Sequence, residues 1–119
     1  MVEDQVNTDN ALVIIWTTQD PEVAENMVFM YAKNAKARGW WEDVRLVIWG
    51  PSANLMAENP GLHKHIQDLT DAGVQILACK ACADNYGVAS ALEDLGINVM
   101  YMGEPLTQYL KAGLPVITF

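Results

Sequence analysis

Short, uninterrupted apolar runs alternate along this chain with longer stretches in which apolar residues recur every three or four positions. An unbroken run is how a strand covered on both faces of a parallel sheet reads, whereas recurrence at i, i+3 and i+4 marks a helix packed along one side. Ala11 to Trp16 (ALVIIW) is the first such run and predicts a buried strand. Asp20-Pro21-Glu22 then offers an N-cap, a proline suited to the first helical position and an acid in the first turn, and Gly39 offers a stop. A helix is predicted between them. Val23, Met27, Met30 and Tyr31, with Ala24, Val28 and Ala35 beside them, predict a broad apolar stripe on it that packs on the sheet.

Val44 to Trp49 predicts the second strand, ended by Gly50-Pro51. Ser52 is placed to cap a short helix through Met56, and Gly61 to Ala72 forms another with Leu62, Ile66 and Leu69 inward, closed by Gly73. Val74 to Ala78 predicts the third strand, followed by a helix reaching Leu95 and stopped by Gly96. Ile97 to Met102 predicts a fourth strand, Glu104 to Ala112 a helix with Leu106, Tyr109 and Leu110 apolar, and Val116 to Phe119 a short fifth strand. Strands alternating with helices over such short connections imply right-handed crossovers, hence an α/β fold: a five-stranded parallel sheet between helical layers, an α/β/α sandwich. The strand order is left open. Reactive groups in such sheets collect outside the carboxyl ends of the strands. Here those ends carry Thr17 and Thr18, Trp49 and Gly50, Cys79, and Gly103 and Glu104.

The length of 119 residues fits one domain, with enough core to fold without disulfides or structural metals. A formal charge of −8 sets up a field that repels phosphate backbones and anionic membrane surfaces, so nucleic acid is not expected as a partner. No apolar run is long enough to span a bilayer, and Met1-Val2-Glu3-Asp4-Gln5 lacks the basic and apolar regions of a secretion signal. A cytoplasmic setting is therefore expected. In a reducing compartment two cysteines are expected to be free, catalytic or metal-binding rather than a structural staple.

Cys79-Lys80-Ala81-Cys82 falls on the third strand-to-helix turn. Unpaired backbone N–H groups at a helix start favour thiolate over thiol, and Lys80 adds a positive charge nearby. Cys79 comes directly off the strand and is the better nucleophile candidate; Cys82 follows about one helical turn later. The competing reading is that both are small apolar fillers between strand and helix.

Beyond the cysteines, Leu12-Val13-Ile14-Ile15 followed by Thr17-Thr18, Gly73-Val74-Gln75-Ile76-Leu77-Ala78-Cys79, Gly87-Val88, and Gly113-Leu114-Pro115-Val116-Ile117-Thr118-Phe119 occur in an order and spacing that resemble the DsrE/DsrF-like family. That family includes TusD-related sulfur-relay subunits, and the resemblance spans almost the whole chain. It implies a DsrE-like fold in which the cysteine ending this strand accepts sulfur as a persulfide and passes it to a partner protein. Cys79 stands at that position. It also implies a homo-oligomer, a trimer or hexamer, and calls for no cofactor. The sequence departs from the carriers in having Asp84-Asn85-Tyr86 where basic residues often precede the glycine, and in its extra Cys82. A second thiol so close could resolve a Cys79 persulfide into a disulfide and release sulfide.

Three rivals are weighed against this. C-x-x-C at a helix start is the local signature of a thioredoxin-type dithiol, but there the motif comes early and an antiparallel hairpin ends the fold, so any redox activity would sit on a different scaffold. A metal site combining Cys79, Cys82, His63 and His65 is disfavoured, because residues two apart on a helix point to different sides; no metal is expected. A non-enzymatic, oligomeric binding module draws on Trp40-Trp41, which form a contact patch or else pack one under the strand and one at the helix end. Met27, Met30, Met56, Met100 and Met102 are expected to fill the core, and Glu104 to serve as a helix N-terminal acid or to orient a substrate.

Overall fold

The structure, a computed structural model, describes residues 10–119; Met1-Val2-Glu3-Asp4-Gln5, read above for a secretion signal, lie outside the described residues. In chain order they form β1 (Ala11–Trp16), α1 (Pro21–Val23) running through a π-helical stretch (Ala24–Phe29) into α2 (Met30–Ala37), β2 (Asp43–Ile48), α3 (Pro51–Glu58), α4 (Pro60–Ala72) and β3 (Gln75–Cys79). There follow α5 (Lys80–Tyr86), α6 (Ala89–Asp94), β4 (Asn98–Met100), α7 (Gly103–Lys111) and β5 (Val116–Thr118). All strand pairs are parallel, in the order β4-β3-β2-β1-β5.

That order determines the layers. From β1 to β4 the chain steps one strand at a time in one direction, so right-handed crossovers put the connecting helices on one face. To reach β5, beyond β1, it must cross back, which sends α7 to the other face. The side chains alternate accordingly. Leu12, Ile14 and Trp16 join Leu46, Ile48 and Ala78 under the helices of the first face, while Val13, Ile15, Val47, Leu77 and Cys79 form a second cluster with Tyr109 of α7. The sandwich is as expected, with unequal layers.

Several local features differ from the sequence pattern for identifiable reasons. Asp20 caps the first helix as expected, its Oδ1 accepting from the Glu22 N–H at 2.9 Å. The π-helical stretch hydrogen-bonds from i to i+5 and turns the helix beyond a regular period. Ala24, Val28 and Phe29 are consequently buried, whereas Met27 and Met30, expected in the core, are 38% and 51% exposed. Ser52 does not cap α3. Gly50 occupies that position at φ 76°, and Ser52 is buried, its hydroxyl donating to the Trp16 carbonyl and accepting from the Trp49 N–H. It thereby ties the ends of β1 and β2 together. The expected long helix after Cys79 is two, because Gly87 takes a left-handed φ of 71° and closes α5. β4 leaves the ladder at Met100, and the next residue, Tyr101, is exposed.

One charge is folded into the second face. Arg45 on β2 is buried; its Nη1 donates to the Tyr109 Oη at 3.1 Å and its Nε to the Asp43 Oδ1 at 3.3 Å. Burial opposes that charge, but Tyr109 and Asp43 together outweigh burial and hold the guanidinium above its ordinary pKa. The contact fastens α7 to the sheet.

Candidate functional site at the carboxyl end of β3

The chain leaves β3 toward the helices of the first face and leaves β4 toward α7 on the second. Adjacent strands whose connections diverge in this way open a crevice outside their carboxyl ends. Cys79 lies there: it is the last residue of β3, in register with Met100 at the end of β4. Its side chain is 5% exposed and belongs to the second-face cluster with Ile15, Val47, Leu77 and Met102.

Cys79 is also the N-cap residue of α5, with extended backbone (φ −67°, ψ 115°), and Cys82 is the third residue of that helix. Side chains at these two positions face one another, as in a capping box. Both thiols are free, and the Cys82 side chain packs against the cluster that holds Cys79. The Gly50 backbone N–H, from the turn after β2, is also directed at the Cys82 sulfur. Burial pushes the Cys82 thiol up, and contact with Cys79 pushes it further in the same direction; the Gly50 N–H and its own N–H pull the other way without cancelling them. Cys82 is thus held as a thiol at neutral pH.

Lys80 does not deliver the positive charge expected beside the thiols. Its Nζ bonds the Asp84 Oδ2 at 3.0 Å, one helical turn along, and sits 5.6 Å from the centroid of the Tyr101 ring. Asp84 raises the pKa of this exposed lysine by hydrogen bond and by charge, so the cation is engaged on the outside of α5.

Of the other strand-end residues, Trp49 packs against the same cluster as Cys79 and Cys82, and Gly50 touches Cys82. Thr17 is elsewhere: its hydroxyl donates to the Phe119 carbonyl at 2.8 Å, on the β5 side of β1. Two strand spacings separate β1 from β3, roughly 10 Å. The Thr18 Oγ1 is buried with no partner among the described residues. Gly103 and Glu104 open α7, with Glu104 exposed in its first turn. Met100 and Met102, expected only as filling, pack in the cluster around the thiols.

The histidines diverge as their spacing required. The His63 Nε2 bonds the Met56 carbonyl at 2.8 Å and so carries its proton there, while the His65 Nε2 pairs with the Glu25 Oε2 at 3.1 Å. Among the described residues no three His, Cys, Asp or Glu side chains are grouped to hold a metal ion. The two tryptophans divide: the Trp41 Nε1 donates to the Tyr31 Oη at 3.1 Å and packs on the core, and Trp40 is 54% exposed.

The model of the DsrE/DsrF-like family matches residues 10–119. The chain belongs to the DsrE/DsrF-like family. Among solved structures, this DsrE/DsrF-like protein is similar to the conserved protein of unknown function BT1422 from Bacteroides thetaiotaomicron, at 40% identity over 97% of this chain and 100% of that one, with a TM-score of 0.91. It shares its fold with the protein of unknown function MTH1491 from Methanobacterium thermoautotrophicum, at 20% identity over 93% and 100% of the two chains and a TM-score of 0.67. The same holds for the ychN protein from E. coli, at 18% identity over 92% and 98% and a TM-score of 0.66. No curated protein matches the chain. Family membership points to a role related to sulfur relay. No helix among the described residues is long and apolar enough to cross a membrane.

Proposed function

We propose that this DsrE/DsrF-like protein carries sulfur as a persulfide on Cys79 and hands it to a partner protein. The observation that carries this reading is the position of Cys79 at the end of β3, in the crevice where the connections from β3 and β4 part. The Cys79 thiolate attacks the outer sulfur of a donor R–S–SH, forming Cys79–S–SH and expelling R–S⁻; an acceptor thiolate later takes that outer sulfur and restores Cys79. The apolar cluster around Cys79 supports the reading, since it keeps a bound sulfane sulfur from water and from stray thiols.

The carrier acts as a homo-oligomer, a trimer or hexamer. This is supported by an apolar groove of about 440 Å³ between the first helix and the open edge of β5, lined by Leu12, Met27, Tyr31, Trp41, Ile117 and their neighbours. Met30 and Trp40 extend it. No side chain lining this surface is charged, so it lets two copies of a chain of net charge −8 approach. Loading a Cys82→Ser protein with polysulfide or a sulfur-loaded desulfurase, followed by intact-protein mass measurement, tests the carrier role: one extra sulfur is expected, and equal labelling of a protein that also carries Cys79→Ser contradicts it.

A further inference from the structure

The site holds two thiols where a carrier needs one, and the second is set against the first. Cys79 and Cys82 occupy the N-cap and third positions of α5, and both side chains pack in the same apolar cluster. Residues three apart on a helix have Cβ atoms about 5–6 Å apart, and a disulfide needs about 3.5–4.5 Å, so closing the bond draws the two Cβ atoms together by about 1–2 Å, a shift taken up at the N-cap end of α5. The Gly50 N–H, on a backbone at φ 76° and ψ −137° that favours glycine, lies close enough to Cys82 to favour its thiolate. Cys82 packs against the cluster that holds Cys79 and so lies on the crevice side. Cys79, at 5% exposure, is shielded from other thiols, whereas Cys82 is only half-buried.

We infer that Cys82 is a resolving thiol, which converts a Cys79 persulfide loaded from a small sulfane-sulfur donor such as inorganic polysulfide into a Cys79–Cys82 disulfide with release of hydrosulfide. This rests on the carrier reading of Cys79 given above. The Cys82 thiolate attacks the inner sulfur, the Sγ of Cys79, and the outer sulfur departs: Cys79–S–SH + Cys82–S⁻ gives Cys79–S–S–Cys82 + HS⁻. The sulfane sulfur is reduced to sulfide and the two cysteines are oxidised, so one resolution needs no further redox partner. A dithiol reductant is needed only to reset the pair. The small donor follows from burial, because the reacting sulfur of Cys79 lies among Ile15, Leu77 and Met102, where a small molecule enters without the docking that a protein-borne persulfide requires.

The test is a brief anaerobic pulse of sodium tetrasulfide, rapid desalting, and intact-mass and sulfide measurements over time on the full chain. Wild type should lose the added sulfur at least about 100-fold faster than Cys82→Ser, because the attacking thiol is intramolecular. Wild type should also release one sulfide per chain and end two hydrogens lighter, while Cys82→Ser, and equally Cys82→Ala, retain the sulfur on Cys79. If wild type and Cys82→Ser both keep the sulfur for the same time with no sulfide released, the resolving role is overturned and the carrier role stands. If Cys82→Ser never gains sulfur on Cys79, the carrier role fails and this inference with it. A Cys79→Ser protein that loads Cys82 at the wild-type rate overturns the assigned order of the two thiols.

Discussion

Replacing Tyr109 by Phe removes one oxygen from a buried contact and leaves the Arg45 charge in place. The Tyr109 Oη accepts from the Arg45 Nη1 at 3.1 Å, and both residues are 6% exposed. A hydrogen bond to a charged group contributes about 1.5–3 kcal/mol, and here its loss strands part of a buried guanidinium. Asp43 still holds the Nε, so the middle of that range, about 2 kcal/mol, is expected. Unfolding entropy near 2.1 cal/mol/K per residue over 119 residues converts this to a fall in Tm of about 8 °C. The consequence reaches the site, because α7 covers the face on which Cys79 is buried. If α7 opens locally, about 2 kcal/mol multiplies that opening by roughly 30, and the reaction of Cys79 with an aromatic disulfide reagent should quicken by up to that factor. Thermal melts and thiol kinetics in a Cys82→Ser background measure both. Arg45→Met is the control: it removes the charge itself, and Tyr109→Phe added to it should then cost little. A Tyr109→Phe protein with unchanged Tm and unchanged Cys79 reactivity would refute the claim that this contact fastens α7.

Further outcomes follow from the same geometry. Loss of the Cys79 persulfide should accelerate with pH and still be rising at pH 9, because burial and Cys79 hold Cys82 above its ordinary value of 9.0 and only its thiolate attacks. Lys80 and Asp84 on the same helix are paired to each other; a rate flat from pH 7 to pH 9, measured by sulfide release, contradicts this. Lys80→Met should change the rate of Cys79 loading less than about twofold, since an exposed pair with Asp84 already engages the cation. A tenfold slowing in stopped-flow loading would show that the charge acts on the thiol after all. Met30→Glu, on the uncharged surface beside the first helix, should shift the oligomer toward smaller species in light scattering without lowering the unfolding free energy by more than about 0.5 kcal/mol. Unchanged mass would place the interface elsewhere.

The central strands are legible because they are covered on both faces, most plainly β1, whose Ala11–Trp16 is an unbroken apolar run, whereas the edge strands β4 and β5 are short and partly exposed. The break at Gly87 was also written in the chain, since glycine tolerates the left-handed backbone that closes α5. The order of strands was not, because the crossover rule constrains handedness and leaves sequence neighbours free to sit apart. Nor does side-chain periodicity encode a π-helical stretch, which is why Met27 and Met30 were assigned to the core when they lie outside it. Cys79 could be placed at the mouth of the sheet from its strand alone. Its partner environment could not: the Gly50 N–H reaches Cys82 only because β2 lies beside β3 and Gly50 takes a backbone other residues avoid. For Lys80 the chain itself carries the signal, as Asp84 stands four residues on, the spacing of a helical ion pair. Thr17 and Cys79 both end strands, yet an intervening β2 separates them, a distance that only topology supplies.

The central claim is that Cys79 carries sulfane sulfur. Cys82→Ser protein, briefly exposed to sodium tetrasulfide and desalted, should show one added sulfur by intact mass, placed on Cys79 by peptide fragmentation and transferable to an acceptor thiol. A Cys82→Ser, Cys79→Ser protein should show none. Equal labelling of the two, or no labelling of the first, would contradict the account.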